Sequence, residues 1–209
     1  MILPHILDLV SVCAAKGIEK AVISPGSRSA ALTIAFEHHS KIEVIMVPDE
    51  RSAGFIALGL SQQSKLPTAL VCTSGSALLN YFPAISEAYY QEIPLLVLSA
   101  DRPSEWIDQY DGQTIQQDAV YDKHVKRSFT LPTNPTGKED LWQSNRKINE
   151  ALNAVENAGD TLKSTAEDAK KTMEDAKKAM EAEIGSNNDG ACLLLPSVWL
   201  FVLVPNLML

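Results

Sequence analysis

The sequence predicts an α/β fold, a doubly wound parallel sheet with helices on both faces. Short runs of β-branched and aliphatic residues, typical of strands buried on both faces, alternate with segments typical of helices. Repeated β-α-β units of this kind form parallel sheets with right-handed crossovers. The chain has 209 residues, of which 45% are hydrophobic, and this is enough for one full core.

The elements can be placed in order along the chain. Buried strands are predicted at 20–26, 42–47, 68–75 and 93–101, and a short additional strand at 126–132. Helices are predicted at 5–16, at 29–39, after Arg51, across 76–90 and from 138 to about 158. Pro83 should kink the helix across 76–90, because proline lacks the backbone N–H that a helix interior uses. The predicted α/β domain therefore covers residues 1–158.

Residues 159–190 are predicted to form a charged, heptad-like helix and a flexible turn. Alanine, methionine and charged residues repeat every seven positions across 166–183, with Glu167 and Lys171 in the favourable i,i+4 order. The helix is expected to be solvated or packed at an edge, and it could continue the preceding helix; self-association is the alternative. The motif "GSNNDG" at 185–190 predicts the turn.

Residues 191–209 are an apolar segment interrupted by Pro196 and Pro205. We expect a last buried strand followed by an apolar tail. The alternatives are a membrane anchor, which the prolines and the lack of a basic flank disfavour, and a rebuilt C-terminus.

Charge and cysteine usage limit the function classes. A net charge of −8 argues against nucleic acid as a partner, because phosphate binding needs clustered Lys and Arg. Cys13, Cys72 and Cys192 are scattered and indicate free thiols in a reducing, cytoplasmic compartment. The N-terminus lacks the features of a signal peptide. The histidines show no metal-binding spacing, so no metal ligand is expected on this chain.

The four main strands end in loops of similar chemistry, "SPGSRS", "PDERS", "TSGSA" and "SADRP". The carboxyl ends of parallel strands share one edge of the sheet, where open α/β proteins bind ligands. Singly, these loops could be helix caps or salt bridges, and Asp49 is the expected cap of its helix. Arg28 and Arg102 can each hold a carboxylate, and together the loops predict a site for a di- or tricarboxylic substrate.

Four motifs also resemble a known family. The stretches "ISPGSRSAALTIAF", "DERSAGFIALGL", "TSGSALLNYFPAISEA" and "LSADRP" occur in order and with matching spacing within residues 1–158. They resemble the N-terminal, pyrimidine-binding domain of the thiamine-diphosphate-dependent 2-succinyl-5-enolpyruvyl-6-hydroxy-3-cyclohexene-1-carboxylate (SEPHCHC) synthases of menaquinone biosynthesis. The resemblance implies a reaction that joins 2-oxoglutarate, after loss of CO2, to isochorismate by conjugate addition.

The resemblance implies that Glu50 is the catalytic carboxyl. In such enzymes this glutamate hydrogen-bonds N1′ of the aminopyrimidine ring and favours the imino tautomer, which removes the proton from C2 of the thiazolium. The chemistry needs a carboxyl in a largely apolar pocket, where its proton affinity is raised. Asp49 and Arg51 are then structural partners.

The remaining site residues are assigned by the same resemblance. Cofactor-binding positions are Pro25, Glu50, Ser76 and Asn80, and substrate-binding positions are Ser27, Arg28, Arg102 and Gln113. The chain departs from the family at Gly112, where relatives carry larger residues.

The resemblance also implies parts that this sequence lacks. Family members are more than twice as long and bind the diphosphate and Mg²⁺ of the cofactor through a Gly-Asp-Gly motif in a separate domain, and no such motif occurs here. We therefore expect thiamine diphosphate with Mg²⁺ as cofactor, anionic small-molecule substrates, and a chain that is inactive alone. Expected partners are further copies of the chain, as a dimer or tetramer, or a diphosphate-binding domain. The alternatives are one subunit of a split thiamine-diphosphate-dependent 2-oxo acid decarboxylase and a non-catalytic scaffold of the same fold.

Overall fold

The computed structural model describes residues 4–132, 135 and 137–186. Its sheet has four parallel strands, β1 (Lys20–Ile23), β2 (Glu43–Met46), β3 (Thr68–Cys72) and β4 (Leu95–Ser99), in the spatial order β2-β1-β3-β4. The helices are α1 (Pro4–Ala15), α2 (Ala30–Glu37), α3 (Glu50–Ser64), α4 (Ser76–Asn80), α5 (Phe82–Tyr90) and α6 (Lys138–Ser186). Single 3₁₀ turns lie at Ser104–Trp106 and Asp122–His124. The predicted α/β fold with a parallel sheet is confirmed.

The strand order reverses direction between β1 and β3. The chain moves outward from β1 to β2, then returns to place β3 on the other side of β1 and continues outward to β4. The register is continuous across the sheet, with Lys20 opposite both Glu43 and Thr68, and Thr68 opposite Leu95. Such a reversal opens a crevice at the carboxyl ends of the two central strands.

The core has two layers, one on each face of the sheet. On one face, Ala21, Ile23, Ala69 and Val71 pack with residues of α1, α2 and the first part of α6. On the other face, Val22, Leu70 and Cys72 pack with residues of α3, α4 and α5. Neighbouring residues alternate between the two clusters because successive side chains of a strand point to opposite faces. Both faces are covered, which explains why β1 and β3 read as nearly continuous apolar runs.

Two helix features follow the sequence closely. The Asp49 carboxylate accepts a hydrogen bond from the Ser52 amide at 2.7 Å, which confirms the expected cap of α3. The helix predicted across 76–90 divides into α4 and α5, which meet at Tyr81. Pro83 lies in the first turn of α5, where its missing N–H costs no helix hydrogen bond.

The strand predicted at 126–132 is wrong. This segment is irregular, and it is held by side-chain contacts rather than by a strand neighbour. The Lys147 ammonium donates to Thr130 O at 2.8 Å, and the Thr130 hydroxyl donates to the Asp118 carboxylate at 3.0 Å. These two contacts hold the segment against α6 and the preceding loop, outside the sheet.

The predicted end of the last helix near residue 158 is also wrong. The helix runs from Lys138 to Ser186, so the charged segment continues it, as one of the sequence interpretations allowed. Gly159 does not end the helix because many good helix formers around it outweigh its cost of about 1 kcal/mol. A turn was predicted at 185–190, but Gly185 and Ser186 are helical, and residues 187–190 lie outside the described residues.

The chain divides into two compact units, residues 1–167 and 168–209. In the second unit, the described residues are helical, and the Met173 side chain is 69% exposed. The last strand and tail predicted at 191–209 lie outside the described residues. In the part of the chain that the structure describes, no helix is both long and apolar enough to cross a bilayer.

Candidate functional site

The four loops that were singled out in the sequence all lie at the carboxyl edge of the sheet. They follow β1, β2, β3 and β4, which are parallel neighbours in one sheet. Neighbouring strands are about 4.8 Å apart, so the ends of β2 and β4, three strand spacings from each other, are separated by about 14 Å. The edge is therefore wide enough for a ligand of several rings or two smaller molecules.

The loops after β1 and β3 touch at the crevice where the strand order reverses. A Cβ on Gly26 would lie 2.5 Å from Cβ of Thr73, so only glycine allows this approach. The Ser29 hydroxyl donates to Gly26 O at 3.1 Å and stabilises the turn. Pro25 is exposed beside this contact. Gly26 therefore permits the close approach of the two loops.

Glu50 is the first residue of α3, directly after the loop from β2. The Asp49 cap aligns the helix start, so the Glu50 carboxyl lies at a helix N-terminus, where a negative charge is favoured. Glu50 is half-buried in this chain. Burial, with a smaller contribution from the negative charge of Glu50, raises the pKa of the Cys72 thiol to about 12. The charge of Glu50 thus reaches the end of β3.

A buried network of hydroxyl groups connects the strand ends that form the crevice. The Tyr81 hydroxyl lies 2.8 Å from Val71 O and 3.2 Å from the Ser24 hydroxyl, which itself donates to Val47 O at 2.9 Å. These bonds join the ends of β1, β2 and β3. Burial, the largest cause, raises the pKa of Tyr81. The phenol therefore remains protonated and serves as a donor.

Ser76 and Asn80 lie one turn apart on α4, and both are exposed. The Asn80 amide donates to Ser76 O at 3.3 Å. Residues four apart on a helix share one face, so both side chains are presented together at the start of the helix that follows β3. Gly75, which precedes them, has φ of +77°.

The segment after β4 covers the end of β3. A Cβ on Gly75 would lie 2.5 Å from the carbonyl of Gln113, and the Ser74 hydroxyl donates to that carbonyl oxygen at 3.1 Å. The Gln117 amide joins three chain segments: its oxygen accepts from Gly75 N at 2.6 Å, and its nitrogen donates to Ala100 O at 2.9 Å. The Gln113 side chain is exposed, and its backbone makes the observed contact.

The two arginines of the site differ in their surroundings. Arg28 is half-buried and, among the described residues, forms no ion pair. Arg102 is 18% exposed in its side chain, and its Nη2 pairs with the Asp111 carboxylate and donates to Gly112 O at 3.0 Å. The contact at Gly112 uses the backbone, so the absence of a larger side chain there does not remove it. Ser27 is exposed next to Arg28.

Sequence reasoning missed three residues of this edge. Asp111 and Gln117 are the first and last residues of the stretch "DGQTIQQ", in which only Gln113 was assigned to the site, and Tyr81 follows Asn80 directly. A glutamine, an aspartate and a tyrosine in a loop or helix carry no local signal of a long-range partner. Within residues 4–132, 135 and 137–186, no group of three or more His, Cys, Asp or Glu side chains is arranged to hold a metal ion.

Comparison with known proteins defines the class. The family described as "Thiamine pyrophosphate enzyme, N-terminal TPP binding domain" matches residues 8–127. This chain belongs to that family of thiamine-diphosphate enzymes, and the matched region contains all four loops of the candidate site.

Several curated relatives share the name of one particular enzyme within this family. A 2-succinyl-5-enolpyruvyl-6-hydroxy-3-cyclohexene-1-carboxylate synthase of Cytophaga hutchinsonii is 55% identical over 151 residues, which are 72% of this chain and 27% of that relative. Enzymes of the same name from Christiangramia forsetii and Bacteroides fragilis are 50% identical over 171 residues and 49% identical over 155 residues, covering 75% and 74% of this chain. The chain thus spans between 27% and 30% of the length of these relatives.

Proposed function

We propose that this chain forms the pyrimidine-binding part of a SEPHCHC synthase. The observation that carries the proposal is the position of Glu50, a half-buried carboxyl on the first turn of α3 at the ligand-binding edge of the sheet. The family match at residues 8–127 contains the same loops, and enzymes of that name are 49–55% identical to this chain over 151–171 residues. The proposed reaction is decarboxylation of 2-oxoglutarate and conjugate addition of the remaining fragment to isochorismate.

The residues at this edge fit an aminopyrimidine ring. Glu50 supplies a carboxyl that can share a proton with a ring nitrogen, and the exposed ring of Pro25 supplies an apolar surface. The Ser76 hydroxyl and the Asn80 amide add exposed polar groups at the start of α4. Gly26 leaves no side chain in the crevice between the first and third strands.

In the proposed mechanism, thiamine diphosphate supplies the electron sink for decarboxylation of a 2-oxo acid. Glu50 holds a proton between its carboxyl oxygen and N1′ of the pyrimidine, and the buried Tyr81 network keeps the adjoining strand ends in place. Arg28, with Ser27, and Arg102 bind the carboxylates of the substrates, and Gln113 contributes a polar side chain next to them. Arginine suits this role because its planar donors match both oxygens of a carboxylate.

The proposal extends to the groups that complete the site. The diphosphate and Mg²⁺ of the cofactor are expected on a diphosphate-binding domain, which meets this domain within the protein or across a homo-oligomer. The free, buried thiols of Cys13 and Cys72 suit a reducing, cytoplasmic compartment.

A chimera tests the proposal. Residues 1–158 of this chain replace the matching N-terminal part of the Cytophaga hutchinsonii relative, and isochorismate consumption is measured with 2-oxoglutarate, thiamine diphosphate and Mg²⁺. The chimera should be active, and Glu50→Gln should lower kcat by roughly 100- to 10,000-fold, the range of a general acid–base group. Glu37→Gln, which makes the same charge change at an exposed position of α2, should leave kcat unchanged.

Two results for the chimera would contradict the proposal. An active chimera whose kcat is unaffected by Glu50→Gln would refute the role of this carboxyl. A folded chimera that binds thiamine diphosphate but does not consume isochorismate would refute the proposed reaction.

A further inference from the structure

Arg102 is held by a carboxylate of its own chain. Its Nη2 pairs with Asp111 and donates to Gly112 O at 3.0 Å, and its guanidinium carbon lies 5.9 Å from the centre of the Trp106 ring. The side chains of Arg102 and Asp111 are 18% and 30% exposed, so the pair is partly accessible to solvent. The position that a ligand carboxylate would take on Arg102 is therefore partly occupied.

The contact between Arg102 and Asp111 leaves part of the guanidinium unsatisfied. Nε of Arg102 is buried and, among the described residues, has no hydrogen-bond partner. Nε and Nη2 lie on the same edge of a guanidinium, and a bidentate carboxylate uses both. Asp111 pairs with Nη2 and leaves Nε without a hydrogen bond, so a carboxylate that bonded to both nitrogens would replace a weaker contact with a stronger one.

The segment that carries Asp111 is strained. Asp108, Tyr110 and Gln113 all have φ between +56° and +62°, a conformation that costs about 1–2 kcal/mol per non-glycine residue. Such strain persists only where surrounding contacts hold it. Gln117 and the Ser74 hydroxyl hold the segment on one side, and the Asp111–Arg102 pair holds it on the other.

We propose that Asp111 is an internal placeholder for the substrate carboxylate at Arg102 and that the substrate must displace it. The inference rests on the proposed function, in which Arg102 binds a carboxylate. Displacement moves Asp111 away from Arg102 and frees one contact of a strained segment, while Gln117 and Ser74 keep that segment on the strand ends. Asp111 therefore sets the affinity of the site for carboxylates and disfavours acids that reach only one guanidinium nitrogen.

The first test uses the unmodified full chain. Titration with 2-oxoglutarate, and separately with benzoate, is followed by NMR at the carboxyl carbon of Asp111 and the Nε–H of Arg102. At least one of these two acids, called the probe below, should shift both NMR signals together. Both titration curves should then saturate with the same dissociation constant. Movement of the Arg102 signal without any change at Asp111 would overturn the proposal, since the two carboxylates would then bind side by side.

The second test uses variants of the same full chain. Asp111→Asn keeps the shape of the side chain and should tighten binding of the probe by about two- to five-fold. This factor corresponds to the free energy of a partly exposed ion pair, which the probe no longer has to break. Asp118→Asn is the control, because it removes the same charge from the same segment. Asp118 contacts Thr130 and not Arg102, so its charge is screened by salt and its removal should change the affinity much less. Equal or weaker binding by Asp111→Asn would refute the placeholder role and assign Asp111 to holding the segment.

A third variant separates this inference from the proposed function. Arg102→Ala should abolish binding of the probe in the wild-type and the Asp111→Asn backgrounds. Binding that survives Arg102→Ala, or no binding by any variant, would overturn the substrate-binding role of Arg102, and the inference would fall with it. Binding that depends on Arg102 but not on Asp111 would overturn the inference alone.

Discussion

Replacing Gly75 by alanine tests how closely the segment after β4 lies against the end of β3. The new Cβ would lie 2.5 Å from the carbonyl carbon and oxygen of Gln113, and neither backbone atom can move without moving the segment. Gly75 also has φ of +77° and ψ of −140°, a region that is essentially limited to glycine.

The expected cost is the sum of two parts. The strained conformation costs about 1–3 kcal/mol, and the steric overlap about 1–3 kcal/mol more, so that Gly75→Ala should destabilise the chain by about 2–6 kcal/mol. Gly17→Ala is the matched control, because Gly17 has φ of +84° but no neighbour within 4 Å of the position that a Cβ would take there. It should cost only about 1–2 kcal/mol. Effects of the substitution on the unfolded chain are the same at both sites and cancel in the comparison.

The free energy of unfolding of both variants can be measured by urea denaturation followed by circular dichroism. Hydrogen exchange at the Gly75 amide reports the local effect, since that amide donates to Gln117 at 2.6 Å in the structure and should lose protection if the segment moves away. Equal losses of stability in the two variants, with the amide still protected, would refute the close approach of Gln113 to Gly75.

Two further predictions concern α3. Gly54→Ala should lower the free energy of unfolding, because the new Cβ would lie 2.9 Å from Cβ of Ala84 in α5. Gly59→Ala is the control: the new Cβ would have no neighbour within 4 Å, and the higher helix propensity of alanine should raise the free energy of unfolding by about 0.5–1 kcal/mol. Urea unfolding measures both, and stabilisation by Gly54→Ala would contradict the tight packing of the two helices. The second prediction concerns Asp49, whose hydrogen bonding with Ser52 lowers its pKa from the ordinary value of 3.8. The charged cap therefore stabilises the fold above pH 3.8, and this contribution is lost as the pH falls through the pKa of the folded state. The melting temperature of the wild type should exceed that of Asp49→Asn at neutral pH, and the difference should vanish under acidic conditions; a difference independent of pH would contradict this explanation.

Much of the fold was readable from local patterns. The four strands buried between helices, the Asp49 cap and the break near Pro83 each depend on residues within a few positions of each other. The parallel arrangement then brought the four loops to one edge, which placed Glu50 and the two arginines at the carboxyl ends of the strands. The specific roles of the site residues remain predictions.

Local patterns were misread at two places, one decided by long-range contacts and one by helix propensity. The segment 126–132 has strand-like residues, but contacts from α6 and from Asp118 hold it outside the sheet. The last helix has a glycine near its predicted end, but propensities on both sides carry it through to Ser186. For the segment 126–132, a window of neighbouring residues does not contain the deciding interaction, whereas for the helix the neighbouring residues themselves outweigh the glycine.

The sequence by itself determined the fold class, the edge of the sheet that carries the site, and the family. It did so because hydrophobic periodicity, caps and turn residues are local properties, and parallel topology converts them into a common edge. Only the tertiary structure decided which groups meet at that edge: Gln113 with Ser74, 39 positions away, Tyr81 with Ser24, 57 positions away, and Asp111 with Arg102. These pairs are chosen by packing between distant segments, and a single sequence does not record which of its many polar residues will be brought within hydrogen-bonding distance.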